Sequence, residues 1–168
     1  QNTMRDAMIA GLTLNIFNNH CERVRVANLA QTVNVLQAVI LTEKEKMILT
    51  PTYHVMEMYN VHQDATMLPI TVTSIDYVLG NERLKAVSAS ASKSADGITH
   101  ISLVNIDASK KQDITIYLDG AKYAGVTGRI LASPTLQDFN SFTEPNKIQP
   151  ASFKGAVLKE ATLSVSLP

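Results

Sequence analysis

"LKAVSASASKSADGITHISLVNID", Leu84–Asp107, is the stretch that decides the fold. Two runs of period-two alternation flank Asp96-Gly97, and an Asp-Gly pair between alternating runs is a strong short-range signal for a β-hairpin. Working outward, the same grammar holds from Ala65 to the end of the chain. "MLPITVTSIDYVL", "DITIYLDG", "GVTGRILAS", "FKGAVLKE" and "TLSVSLP" are short alternating runs separated by turn material at Gly80-Asn81, Asp107 to Lys111 and Asp119-Gly120. About seven short strands without long helices predict an antiparallel β-sandwich over residues 65–168, so the fold class is mainly β. "SPTLQDFNSFTEPNKIQPASF", with Pro134, Pro145 and Pro150, is expected to be irregular.

The first third reads differently. Met4 to His20 has helical spacing: Met4, Met8, Leu12 and Ile16 repeat along one line, and Ala7, Ile9, Leu14 and Phe17 widen it. Asn2 or Thr3 can cap this helix, and Asp6 in its first turn complements the dipole. Such a broad apolar circumference implies packing on more than one side. Val24 to Ala30 then predicts a short buried strand, and "LTEKEKMILTP" a connection. Thr50-Pro51 is a helix start with Thr50 as N-cap, and "TYHVMEMYNVH" carries Tyr53, Met56 and Tyr59 along one side. A lone helix–strand–helix cannot bury its own strand. Residues 1–64 are therefore expected to be the end of a larger α/β domain, with residues 65–168 forming the sandwich. "AMIAGLTLNIF" lacks the basic cluster and cleavage site of a leader peptide and is too short to span a bilayer.

Composition narrows the function. Formal net charge is zero and hydrophobic residues make up 45% of the chain, so no basic face for nucleic acid or anionic membrane is expected. Cys21 is the only cysteine, which excludes an intrachain disulfide, and a small half-buried residue at a helix end is the expected role for it. Trp is absent and aromatics reach only 5%, against a flat aromatic platform for sugars.

No catalytic constellation emerges. A retaining glycosidase needs two carboxylates about 5–5.5 Å apart. Glu43, Glu45 and Glu57 flank helices, and Asp96, Asp107, Asp113 and Asp119 sit at hairpin ends, where solvated or turn roles are expected. His20, His54, His62 and His100 lack metal-ligand spacing, and no phosphate-cradling loop or nucleophile elbow occurs, so neither metal nor cofactor is expected. What remains is "ANLAQTVNVLQAVIL", Ala27–Leu41, an apolar run holding two amides, Gln31 and Asn34. If the preceding segment is a barrel strand, Gln31 stands at its C-terminal end, the face on which α/β barrels build their sites. An amide there suits sugar hydroxyls. A structural role in the following loop is equally open for Gln31, and it is the favoured reading for Asn34.

These residues carry a resemblance. "NIFNNHCERVRVANLAQTVNVLQAVILTEKEKMILTPTYHVMEMY" resembles the C-terminal part of the α-L-arabinofuranosidases of glycoside hydrolase family 51, whose last barrel strand reads A-N-x-A-Q-x-V-N-V and is followed by T-P-T-Y-H-V. "SLVNID", "GRIL", "FNSFTEPNKIQP" and "LSVSLP" are similar to the family's C-terminal sandwich. The resemblance implies a (β/α)8 barrel bearing a β-sandwich, with retaining hydrolysis of terminal α-L-arabinofuranosyl groups on arabinan, arabinoxylan or arabino-oligosaccharides. It implies that the acid/base and nucleophile glutamates lie upstream of Gln1 and that Gln31 contacts the arabinose. The chain would then hold the seventh helix, eighth strand and eighth helix of the barrel plus the sandwich, be inactive alone, and belong to a homo-oligomer, hexameric in the family. The reading of another class is a stand-alone carbohydrate-binding or structural module, which the lack of Trp disfavours.

Overall fold

The computed structural model describes residues 2–30 and 32–168. Its elements are α1 (Met4–Asn19), a hairpin of β1 (Ile40–Glu43) and β2 (Lys46–Leu49), and α2 (Pro51–Tyr59), which runs into a 3₁₀ turn at Asn60–His62. The strands β3 (Thr66–Leu68), β4 (Asp76–Leu79), β5 (Glu82–Lys85), β6 (Val87–Lys93) and β7 (Thr99–Asn105) follow. The chain ends with β8 (Gln112–Tyr117), β9 (Arg129–Ile130), β10 (Ala151–Ser152), β11 (Ala156–Lys159) and β12 (Thr162–Leu167).

Two three-stranded antiparallel sheets, ordered β3-β6-β7 and β11-β12-β8, form the sandwich. Leu163, Val165 and Leu167 of β12 pack against Ile101 and Leu103 of β7, Ile114 and Ile116 of β8, and Phe153. The Asp96-Gly97 signal holds: β6 and β7 pair from Val87↔Asn105 to Lys93↔Thr99, and Gly97 takes φ +88° in the turn. Gly155 is required by space, because a Cβ there would sit 2.6 Å from the Phe153 ring and 2.7 Å from the Ser166 carbonyl oxygen. β4 and β5 form a separate hairpin whose large apolar side chains stay exposed.

The other face of the β3-β6-β7 sheet carries α1 and α2. Alternation along β6 sends Ser88, Ser90 and Ser92 toward the helical layer, where they bond Asn15, Asn18 and His62. The line of α1 that lies closest to the sheet is Ala7, Gly11 and Asn15 rather than Met4, Met8, Leu12 and Ile16. Size explains the shift. A Cβ on Gly11 would stand 3.1 Å from Val104 Cγ2, so only small residues allow this approach, and Ile16 is left 57% exposed on the far side. Thr3 precedes α1, with its N–H donating to the Asp6 carboxylate at 2.7 Å. Thr50 caps α2, accepting from the Tyr53 N–H at 3.4 Å, and Pro51 stands at the first helical position.

Two local expectations change. Val24 to Leu29 forms no strand: it has no ladder partner among the described residues, and Val26 is 71% exposed. A parallel strand has no lone existence, because its backbone groups need neighbours. The helix–strand–helix pattern is thus helix, extended segment, hairpin, helix. The "LTEKEKMILTP" connection is itself the β1–β2 hairpin, with Lys44 in the left-handed region at φ 54°. The proline-bearing segment read as irregular, 133–153, is so up to Pro150; its end forms the two-residue strand β10. It accepts the first N–H groups of α1 through the Asp138 and Leu136 carbonyls, and its Asn140 amide donates to the Leu49 and Ile148 carbonyls.

Candidate functional site

The loop after the extended segment is the region in which a substrate contact was expected. Gln31 itself lies outside the described residues. The residues beside it form an ordered turn. Ile40 N–H donates to the Thr32 carbonyl and Asn34 N–H to the Ile40 carbonyl, each at 3.1 Å, and Val33 makes a parallel bridge with Ile40. Asn34 takes φ 54°, a conformation that asparagine tolerates because its short side chain bonds locally. Its Oδ1 accepts the Thr42 N–H at 2.8 Å, and its Nδ2 donates to Thr42 Oγ1 at 2.7 Å. Asn34 therefore binds the loop to β1, the structural role favoured from sequence. Leu36, at the tip, is 93% exposed. An open cavity of about 920 Å³ lies along this loop, lined by Asn2, Ala30, Asn34 to Ala38 and Leu41. Asn2 is buried there; its Nδ2 donates to the Ala38 carbonyl at 2.7 Å, while its Oδ1 has no partner.

The acidic residues occupy turn and ion-pair positions. Glu57 on α2 takes both guanidinium nitrogens of Arg129 at 2.9 Å, and that pairing holds its carboxyl below the usual range. Asp96 and Asp107 accept from serine hydroxyls and backbone N–H groups in the turns beside them, which lowers both. Asp138 falls to about 2 because Lys147 and Ser133 both donate to it. No carboxyl among these is raised, as a general acid would need. The chain's one Asn-Glu dipeptide, Asn81-Glu82, lies at the exposed end of the β4–β5 hairpin, Asn81 in the turn and Glu82 opening β5. Among the described residues no group of three or more His, Cys, Asp or Glu side chains could hold a metal ion. Cys21 is half-buried just past α1.

What the sequence reading missed is a buried polar seam between the helices and β6. Asn15, fully buried, accepts from Tyr59 Oη at 2.9 Å and Ser90 Oγ at 2.8 Å, and donates to Ser88 Oγ at 3.1 Å. Asn18 donates to Ser90 Oγ and Asn19 to the Ala89 carbonyl. His62 continues the seam, its two ring nitrogens each 2.7 Å from a serine hydroxyl, Ser92 on one side and Ser102 on the other. Burial raises the Tyr59 hydroxyl pKa and pulls the His62 imidazole down to about 4, with His100 adding to the fall. The serines at every second position of "VSASASK" were the available signal.

The family model of the α-L-arabinofuranosidase C-terminal domain matches residues 1–168. The chain belongs to the α-L-arabinofuranosidase C-terminal domain family. Over its whole length it is 49% identical to an intracellular exo-α-L-arabinofuranosidase of Bacteroides ovatus. It superposes with a TM-score of 0.97, at 45% identity and over all of its length, on the glycoside hydrolase family 51 arabinofuranosidase of Xanthomonas axonopodis pv. citri. The thermostable enzyme of the same family from Thermotoga petrophila matches at TM-score 0.79 and 26% identity over 98% of this chain and 38% of its own. The chain spans about a third of the relatives' length, 33% of the Bacteroides protein and 34% of the Xanthomonas structure. The helix α1, the segment after it and the sandwich are thus one family unit, and the mainly antiparallel fold is the family's.

Proposed function

We propose that this family member works as the C-terminal part of a retaining α-L-arabinofuranosidase that releases terminal α-L-arabinofuranosyl residues from arabinan, arabinoxylan or arabino-oligosaccharides. The observation that carries this reading is the full-length match to the family, with a chain one third as long as its enzyme relatives. Both catalytic glutamates are assigned to the remaining two thirds, because the carboxylates described here are bound in turns and in ion pairs. Gln31 is assigned the one direct contact to the arabinose, from a loop whose turn Asn34 holds. Residues 1–64 are assigned to the end of the barrel and residues 65–168 to the sandwich.

The uncovered apolar surface supports the assignment. Ile9, Ile16, Val26 and Leu36 stand in water on the side of α1 away from the sheet or on the loop beyond it, and a patch of that kind is usually an interface. In the whole enzyme the barrel covers it. The sandwich braces the barrel, and the enzyme assembles as a homo-oligomer. The experiment is hydrolysis of an aryl α-L-arabinofuranoside by the full-length protein, followed by proton NMR as the reaction begins. Release of the α-anomer first supports retention; the β-anomer first, or no release of arabinose, overturns the reading.

A further inference from the structure

His62 sits where three elements meet. The 3₁₀ turn that ends α2 carries it, β6 supplies Ser92, and β7 supplies Ser102, each hydroxyl 2.7 Å from a different ring nitrogen. A neutral imidazole has one donor and one acceptor, and two serine hydroxyls complement it in either tautomer. An imidazolium has two donors. Both serines must then accept, and the hydroxyl that had donated to the neutral ring loses that partner.

The surroundings also oppose charge. From α2, the Tyr59 ring lies 5.6 Å away between centroids; from β7, the His100 ring lies at 6.5 Å. The groups that α1 hydrogen-bonds to β6 are amides, Asn15, Asn18 and Asn19. Asp64, two residues past His62, and Lys93, next to Ser92, are solvent-exposed, Glu57 on α2 is paired with Arg129, and Asp96 is tied to Ser94 beside His100. No carboxylate among the described residues pairs with the ring, so nothing compensates a proton on it.

We propose that His62 is an acid-release latch, a neutral cross-link between the end of α2 and the β6–β7 pair that loosens the helical layer from the sheet when the ring takes a proton. This goes beyond the glycosidase reading and does not depend on it. The sign follows from linkage. The ring titrates near 4 in the closed form and near its ordinary 6.5 when released, so the open form binds the proton more readily. The latch holds fully above pH 6.5 and weakens as pH falls toward 4.

Hydrogen exchange on the whole chain, corrected for intrinsic rates, tests it. Between pH 7 and pH 5, protection of peptides covering 51–62 and 87–105 should fall about tenfold, less than the two pKa values alone give because the ring is only partly buried. His62→Gln keeps one donor and one acceptor but cannot charge, and its protection should stay level over that window. An equal fall in His62→Gln, or no fall in the unaltered chain, overturns the proposal. Exchange of the histidine C2 hydrogens in the unaltered chain provides a measurement that needs no variant: a His62 midpoint near 4 supports the latch, and one above 6 overturns it.

Discussion

Asn15→Ala cuts the centre of the helix–sheet seam, and the structure sets its cost. The variant removes the bonds to Ser88 Oγ at 3.1 Å, from Ser90 Oγ at 2.8 Å and from Tyr59 Oη at 2.9 Å. Tyr59 keeps an acceptor in the Gly11 carbonyl at 3.0 Å, so its proton is not stranded. Ser90 still accepts from Asn18, but the Ser90 proton is left buried without a partner. Two lost bonds at about 1 kcal/mol each, and one stranded hydroxyl at about 1–3 kcal/mol, sum to roughly 4 kcal/mol. The better helix propensity of alanine returns about 0.6 kcal/mol, which leaves roughly 3 kcal/mol. Urea unfolding followed by circular dichroism measures it; with a slope of about 2 kcal/mol per molar, the midpoint should drop by about 1.5 M. Adding Ser90→Ala removes the stranded proton but also the acceptor that Asn18 uses, so the double variant should stay within about 1 kcal/mol of the single one. A loss under 1 kcal/mol in the single variant, or a double variant that loses the full sum of the two single losses, would refute the claim that amides and serines hold α1 to the sheet.

Other outcomes are expected elsewhere. Gly155→Ala forces a methyl to within 2.6 Å of Phe153 and 2.7 Å of a backbone oxygen, and should lower stability by about 2 kcal/mol in the same urea assay. Glu57→Gln breaks the bidentate pair with Arg129, which is half-exposed; the loss should be only about 0.5 kcal/mol and should shrink further in 1 M salt. In the full-length enzyme, Gln31→Ala should lower kcat/KM by an amount equal to about 1–3 kcal/mol while leaving the thermal midpoint in place; unchanged kinetics would make Gln31 a loop residue.

Local signals were legible in the sequence wherever local chemistry decides the outcome. Asp96-Gly97 demands a tight turn, and Thr50-Pro51 presets a helix start, so both elements stand where the residues put them. Signals failed where the outcome depends on a neighbour. Val24 to Ala30 has the composition of a buried strand, yet a strand is defined by its partners, and it has none among the described residues. The docking line of α1 is set by how closely a helix can approach Val104, and hydrophobicity alone points to the wrong line. Lys44-Glu45 offers no Gly or Asn to announce the β1–β2 turn. The seam centred on Asn15 joins residues more than seventy positions apart, and only the hydroxyl at every second residue of β6 hinted at it. The candidate site divides in the same way. Asn34 was readable as a loop residue because asparagine suits the left-handed conformation, whereas the assignment of Gln31 draws on family resemblance.

We propose that this chain completes an arabinofuranosidase without supplying its catalytic groups. The decisive comparison is turnover of an aryl α-L-arabinofuranoside by the purified 168-residue chain and by the full-length protein at equal molarity. The full-length protein should release the chromophore and the chain none above buffer; hydrolysis by the chain itself would place catalytic groups within residues 1–168.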